Sequence, residues 1–288
     1  MSIRITPIGR GFGAVVSGID LRAGIDADLA EAIEDALARH GVLAFPGQPL
    51  DDDRQQRFIE RFGPPVEIRL QEVRNARNNH PHFFDVATVD DEGRPIDPNS
   101  ARGLYARANL LWHTDGSQVQ PPVRLTALSA RVLPPEPPPT EFADMRAAYD
   151  ALDPALRARI DGLRAVHSIF HSRAKIGMDA SGFSAEAARA RPPVDHPLVR
   201  TNRRTGRKAL YLASHASHVI GMPLEEGRAL IDELTAFATQ PRFVHAHAWQ
   251  PDDLVMWDDS WTMHRATPYD GPHPRVLRWC GVQEPEPV

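Results

Sequence analysis

Leu110-Leu111-Trp112-His113-Thr114-Asp115-Gly116 sets a histidine and a carboxylate two residues apart, directly behind a short apolar run. If that run is a β-strand, side chains at i and i+2 point to the same face. His113 and Asp115 are then placed to grip one metal ion from one side. A further ligand is needed, and the best candidate, His264, lies far downstream in Trp257-Asp258-Asp259-Ser260-Trp261-Thr262-Met263-His264. Two histidines and one carboxylate on one face of a metal leave its other positions open, the arrangement used by non-haem Fe(II) oxygenases. Other clusters compete, namely His80-x-His82, His215-x-x-His218 and His245-x-His247. Among 13 histidines a single His-x-Asp match discriminates poorly, so spacing alone does not decide between them.

The surrounding chain is ordinary in bulk. Its 288 residues are 42% hydrophobic and 25% charged, enough for one large β-rich domain or two smaller ones. A formal net charge of −5 gives no basic footprint for nucleic acid. The single cysteine, Cys280, excludes a disulfide framework within the chain. The first residues lack an apolar signal core, and no apolar run approaches the roughly 18 residues needed to span a bilayer. A soluble, cytoplasmic protein is expected. Its 27 prolines are about twice the usual ~5% share, and they cluster at 121–122, 134–139 and 192–197, where they predict loops or sheet edges.

Working outward from the motif, Asp26-Ala27-Asp28 caps a helix with Leu29, Ile33 and Leu37 at helical spacing, ended by Gly41. Val42-Leu43-Ala44-Phe45 predicts a buried strand stopped by Pro46-Gly47. A second helix starts at Asp51-Asp52-Asp53 and carries Phe58, Ile59 and Phe62. The glycines at 9, 11, 13 and 18 do not fit a dinucleotide fingerprint. Residues 67–108 are polar and irregular, which predicts a lid loop just before the motif. Behind it come a strand over Arg124–Val132, helices over Glu141–Leu152 and Pro154–Leu163, and a loop-like 171–208. Leu210–Leu212 and Phe243–Trp249 read as strands, with an amphipathic helix after Pro223 between them; strands at Leu254–Trp257 and Arg275–Val282 close the chain. Many short strands with helices between them predict a mainly β fold with flanking helices, built on a jelly-roll core. A single domain over 1–288 with a helical and loop insert at 141–240 follows.

A resemblance runs almost end to end. Gly13-Ala14-Val15-Val16-Ser17-Gly18-Ile19-Asp20-Leu21, Val42-Leu43-Ala44-Phe45-Pro46-Gly47-Gln48, Trp112-His113-Thr114-Asp115 and Thr140-Glu141-Phe142-Ala143-Asp144-Met145-Arg146-Ala147-Ala148-Tyr149 occur in order. They continue with His215-Ala216-Ser217-His218, Asp253-Leu254-Val255-Met256-Trp257-Asp258 and His264-Arg265, with Arg275 eleven residues beyond His264. On these stretches the chain resembles the TauD/TfdA family of Fe(II)/2-oxoglutarate-dependent dioxygenases, and within it the 2,4-dichlorophenoxyacetate dioxygenase-like branch. The resemblance implies a double-stranded β-helix (cupin-like) core, with Fe(II), 2-oxoglutarate and O2 as cofactor and cosubstrates. It implies His113, Asp115 and His264 as iron ligands and Arg275 as the partner of the distal carboxylate of 2-oxoglutarate. A planar guanidinium suits that carboxylate in two parallel hydrogen bonds. Thr140 matches a threonine that donates its hydroxyl to the same cosubstrate, Trp249 a tryptophan near that pocket, and Asn109 a position that contacts substrate in some relatives.

The implied reaction hydroxylates an unactivated C–H bond of a small organic molecule while 2-oxoglutarate loses CO2 to give succinate. Related halogenases lack the carboxylate, so Asp115 favours hydroxylation over halogenation. Self-association is common in the family; no nucleic-acid or membrane partner is expected.

Three positions depart from the family pattern. Trp279 stands where relatives often carry an arginine, four residues after the cosubstrate arginine. On a strand Arg275, Leu277 and Trp279 share one face and Arg278 the other. Trp279 therefore predicts an aromatic pocket wall and a bulky apolar or secondary-metabolite-type substrate, unless Arg204, Arg207 or Lys208 anchors a carboxylate. Aryloxyalkanoates such as phenoxyacetates, or sulfonates, are the alternative. Asp259-Ser260 replaces Asn-Arg, which bears on support around His264, and Gly116 is expected to open space beside Asp115. A zinc hydrolase with the same triad is a rival from another class, but it has no use for a dicarboxylate pocket built on Arg275 and Thr140. A catalytically silent jelly-roll binding protein is a third reading, against which the intact triad argues.

Overall fold

The computed structural model describes residues 3–9, 11–68, 80–178 and 185–285. Fifteen strands and eight α-helices are found among them. The strands are β1 (Arg4–Pro7), β2 (Ala14–Ser17), β3 (Val42–Phe45), β4 (Phe84–Ala87), β5 (Val123–Val132), β6 (Thr140–Asp144), β7 (Arg164–His167), β8 (Val194–Pro197), β9 (Val199–Thr201), β10 (Lys208–Leu210), β11 (Ala216–Val219), β12 (Val244–His247), β13 (Leu254–Asp258), β14 (Thr262–Ala266) and β15 (Val276–Gln283). The helices are α1 (Ala27–His40), α2 (Asp52–Ile59), α3 (Ala101–Ala108), α4 (Met145–Asp150), α5 (Pro154–Ile160), α6 (Ile169–Lys175), α7 (Ala185–Ala190) and α8 (Leu224–Ala238).

Two sheets carry the architecture. The larger has seven strands in the order β1-β2-β3-β13-β5-β15-β4, and the smaller is β12-β6-β14. Strand β13 is buried along its whole length, and its alternation shows the layering. Leu254 and Met256 join Leu43, Phe45, Ile33, Leu37, Phe58 and Ile59 in a core beneath α1 and α2. Val255 and Trp257 point the opposite way and pack with Phe142 of β6, so the two sheets face each other across this second core. The far side of β6 contributes Ala143 to a third core with Met145, Leu230, Ile231 and Leu234 of α4 and α8. A sheet buried on both faces explains why β3 and β13 read as unbroken apolar runs rather than as alternating ones.

Local chemistry sets the helix ends. Asp26 caps α1 by accepting from the Leu29 N–H, and Asp51 caps α2 by accepting from the Arg54 N–H. At Gly41 (φ +74°) α1 stops where a Cβ would meet the Phe12 ring at 2.8 Å, so glycine is required on two counts.

Several expectations need correction. Glu141–Leu152 does not open as a helix, because Thr140–Asp144 is the middle strand of the small sheet, paired by β12 and β14. Pairing on both edges outweighs local helix propensity there, and α4 begins only where Asp144 caps Arg146 and Ala147. The insert expected at 141–240 therefore begins after β6, and it carries a sheet of its own, β11-β7-β8, besides helices. The stretch 171–208 holds part of α6 and all of α7, β8 and β9 rather than loop alone. The lid segment 67–108 is not structureless: β4 pairs with β15 at the edge of the large sheet, and α3 ends beside the motif. Residues 69–79 of that segment lie outside the described residues.

Candidate metal centre

His264 is held by β14 on the face that looks into the space between the sheets, opposite Phe142 and 4.6 Å from the Trp257 ring centroid. His113 reaches the same place without a strand of its own. The run before it is the end of α3 and a turn, and His113 makes one isolated bridge with His264. The two residues exchange backbone hydrogen bonds, His113 N–H to His264 O at 3.0 Å and His264 N–H to His113 O at 2.8 Å. Thr114 turns away and donates its hydroxyl to the Leu212 carbonyl, so Asp115 comes back to the side of His113. The two side chains thus reach one side as the i, i+2 spacing suggested, although the strand expected for it does not exist and Asp115 already stands in the turn.

Gly116 makes the turn possible. Its φ is +64°, and a Cβ there would lie 2.3 Å from Val123 Cγ2. Close approach of β5, not open space beside Asp115, is the reason for glycine.

His113, Asp115 and His264 are the one cluster of three or more such side chains among the described residues able to hold a metal ion, their ligand atoms all lying within 4.8 Å of one another. His113 Nδ1 is 2.7 Å from the Leu111 carbonyl, which fixes the proton on Nδ1 and leaves the Nε2 lone pair free. Burial, with His113 beside it, pushes the His264 imidazole down to about 3, so it stands neutral, the form a metal requires. Burial pushes the Asp115 carboxyl up, but the nearby His264 and His113 and hydrogen bonds from Trp279 and Thr126 outweigh it and hold Asp115 below the usual carboxylate range. A deprotonated carboxylate, the neutral His264 imidazole and the His113 Nε2 make a donor set that fits a divalent transition metal.

Asp259 supports this triad through Asp115 rather than His264. It accepts from the Asp115 N–H at 3.0 Å and from Trp257 Nε1–H at 3.1 Å. Burial, then the Asp115 charge beside it, pushes the Asp259 carboxyl well up. A protonated Asp259 offers one donor and one acceptor, as an amide would. That accounts for an acid at a position where an amide was expected.

The remaining expected residues separate into two layers. Arg275, Thr140, Asn109 and Trp279 line the same cavity as the triad. Trp249 does not line it. Wholly buried one layer behind, it donates its indole N–H to Thr140 Oγ1 at 3.0 Å, which leaves the Thr140 hydroxyl hydrogen to point elsewhere. Arg275 is only 6% exposed, yet no described side chain or carbonyl accepts a hydrogen bond from its guanidinium, and Nε is fully buried without a partner. Burial alone pulls it down to about 10. Leu277 and Trp279 line the cavity with Arg275, while Arg278 points away and pairs with Asp85 and Asp52, as the strand phase predicts. The alternative anchors are elsewhere: Arg204 pairs with Glu31, Glu34 and Asp35, Arg207 with Asp150, and Lys208 with Asp161. Tyr105, from α3, was missed by the sequence reading; it lines the cavity and lies under the Arg173 guanidinium, 5.4 Å from its ring centroid.

With this geometry in place, comparison with known proteins is decisive. The family model "Taurine catabolism dioxygenase TauD, TfdA family" matches residues 4–280. The chain belongs to the TauD/TfdA family. Among its TauD/TfdA relatives, it is 41% identical over 280 residues to the alpha-ketoglutarate-dependent 2,4-dichlorophenoxyacetate dioxygenase of Cupriavidus pinatubonensis, with 96% of each chain covered. It is 32% identical over 285 residues to pentalenolactone F synthase of Streptomyces avermitilis, covering 94% of this chain and 90% of that one. The crystal structure of AAD-2 in complex with Mn(II) and N-oxalylglycine superimposes with a TM-score of 0.90 at 38% identity, over 100% of this chain and 98% of that one. No helix among the described residues is long and apolar enough to cross a membrane.

Proposed function

We propose that this chain is an Fe(II)- and 2-oxoglutarate-dependent dioxygenase that hydroxylates an unactivated C–H bond of a small organic molecule, with 2-oxoglutarate converted to succinate and CO2. The observation that carries this reading is a buried guanidinium, Arg275, without an anionic partner among the described residues, in the same cavity as a two-histidine, one-carboxylate cluster. A buried cation without a partner is costly, and a bound carboxylate removes the cost. In this reading His113, Asp115 and His264 hold the iron, and the facing sheets are the double-stranded β-helix that presents them. The bound iron, with 2-oxoglutarate, activates O2.

The chain's own residues do the rest. Arg275 and the Thr140 hydroxyl orient the cosubstrate, and Trp249 aims that hydroxyl by donating to its oxygen. Phe84, Leu128, Leu277 and Trp279 exclude water and hold an apolar substrate; α3 brings Tyr105 and Asn109 over the cavity as part of a lid. Positioning one C–H bond against the reactive centre is the main contribution such a pocket can make.

An aromatic or bulky apolar substrate fits this lining best. Arg275 is the only lysine or arginine among the described lining residues, and it is committed to 2-oxoglutarate. A second reading, an aryloxyalkanoate, is favoured by the 41%-identical relative and by Arg173 behind Tyr105, which places a cation next to the wall. Succinate release with Fe(II), 2-oxoglutarate and O2 across phenoxyacetates, sulfonates and apolar terpenoid acids tests both, with His113→Ala as blank. Turnover confined to apolar compounds supports the first reading and turnover of phenoxyacetates the second. The absence of the visible Fe(II)–2-oxoglutarate charge-transfer band under anaerobic titration refutes the dioxygenase assignment.

A further inference from the structure

Asp115 is restrained unequally at its two oxygens. Oδ2 accepts from Trp279 Nε1–H at 2.8 Å and lies 3.1 Å from the Thr126 hydroxyl. A carboxylate oxygen has two lone-pair directions, and the Trp279 N–H takes one of those on Oδ2. Each oxygen lies 3.7 Å from one histidine, Oδ1 from His113 Nε2 and Oδ2 from His264 Nε2, but no described residue donates to Oδ1. The Thr126 oxygen is also 2.7 Å from Asp259 Oδ2. The Thr126 hydroxyl thus lies between the two carboxylates, while the Trp279 N–H is committed to Oδ2. The Trp279 ring is fixed in turn by stacking on Phe84, 4.8 Å between centroids and 26° between planes.

We propose that Trp279 is a positioning residue for the metal centre. Its indole N–H, with Thr126, occupies Oδ2 of Asp115 so that the carboxylate meets the metal through Oδ1 alone. The inference rests on the proposed function. A carboxylate that bound through both oxygens would use a position that the cosubstrate and O2 require. The same side chain is a wall of the cavity, so substrate recognition and metal geometry share one residue. Where a charged side chain at this position would leave the cavity wall polar, tryptophan supplies a donor and an apolar surface together.

The test uses the full chain loaded with Mn(II) for affinity and with Co(II) for its visible d–d bands, whose intensity reports coordination number. W279F removes the N–H and keeps a ring against Phe84; F84L removes the stack and keeps the N–H. W279F is expected to weaken Mn(II) binding 10- to 100-fold, the usual consequence of losing an outer hydrogen bond to a ligand, and to change the Co(II) spectrum. T126V should act in the same direction, and the W279F/T126V pair should be non-additive, because both groups restrain one oxygen. F84L, which keeps the N–H but loosens the ring that carries it, should weaken Mn(II) binding less than W279F does. If W279F does not fold, site-specific 3-benzothienylalanine, with sulfur in place of N–H, carries the same test. Unchanged metal affinity and spectrum in the N–H-deficient variant, with only a raised KM for substrate, would overturn the inference and leave Trp279 a wall. Failure of the unaltered protein to bind metal and 2-oxoglutarate at all would instead overturn the proposed function.

Discussion

Replacing Arg275 by methionine should move stability in opposite directions with and without cosubstrate. Among the described residues the guanidinium is buried without a partner, and burial alone lowers it from its ordinary value to about 10. A shift of that size corresponds to roughly 3 kcal/mol of penalty for carrying the charge, at about 1.4 kcal/mol per unit. Methionine keeps the length and apolar character of the side chain and carries no charge, so R275M without 2-oxoglutarate should be more stable by an amount up to that figure. With 2-oxoglutarate the sign reverses. Two charge-assisted hydrogen bonds to a carboxylate contribute about 1.5–3 kcal/mol each, so their loss should weaken binding by about 10²- to 10⁴-fold. At a concentration near 100 times Kd the wild type gains about 2.7 kcal/mol from ligand, whereas R275M should gain almost nothing. R275K keeps the charge without the planar fork and should fall between them. The assay is thermal unfolding of the Mn(II)-loaded, non-turning-over protein across a 2-oxoglutarate titration. R275M that is less stable than wild type without ligand would show that Arg275 already has a structural partner. A ligand-dependent stabilisation equal to wild type would show that the cosubstrate binds elsewhere. Either result refutes the reasoning.

Gly116→Ala should destroy metal binding through backbone geometry alone, because its Cβ would lie 2.3 Å from Val123 and its φ of +64° is strained for alanine; a Mn(II) titration with circular dichroism as the folding control checks it. T140V should raise the Kd for 2-oxoglutarate up to about tenfold, the worth of one neutral hydrogen bond, and W249F, which loses only the donor that aims Thr140, should raise it less. His167 is wholly buried with neither ring nitrogen partnered among the described residues, and burial, with His196 and His215 nearby, pushes it well below 6.5. Between its folded value and 6.5 the unfolded chain therefore binds the extra proton, so its contribution to stability is lost as pH falls below 6.5. Denaturant unfolding of wild type and H167F should differ by a slope of about 1.4 kcal/mol per pH unit in that window; parallel pH profiles would contradict it.

Composition and spacing were enough to name the triad as a candidate, and residue-by-residue resemblance named Arg275, Thr140 and Trp249. These candidates are legible because a metal ligand or a carboxylate partner must be one of a few residue types, and because a two-residue spacing brings His113 and Asp115 to one side even without a strand. The same period separated Trp279 from Arg278 correctly. What the chain did not disclose by itself depends on neighbours far away in sequence. Thr140–Asp144 is a strand only because β12 and β14 flank it, which no local propensity encodes. Tyr105 reaches the cavity because α3 is folded against the sheet edge that β4 provides. The orphaned state of Arg275, the Trp249 donation to Thr140 and the Trp279 donation to Asp115 are facts of distance between residues 109 or 164 positions apart, or of the absence of a partner among the described residues. Residue type sets which bonds a side chain can make; only tertiary packing, by excluding water and bringing partners within reach, decides which of those bonds it must make.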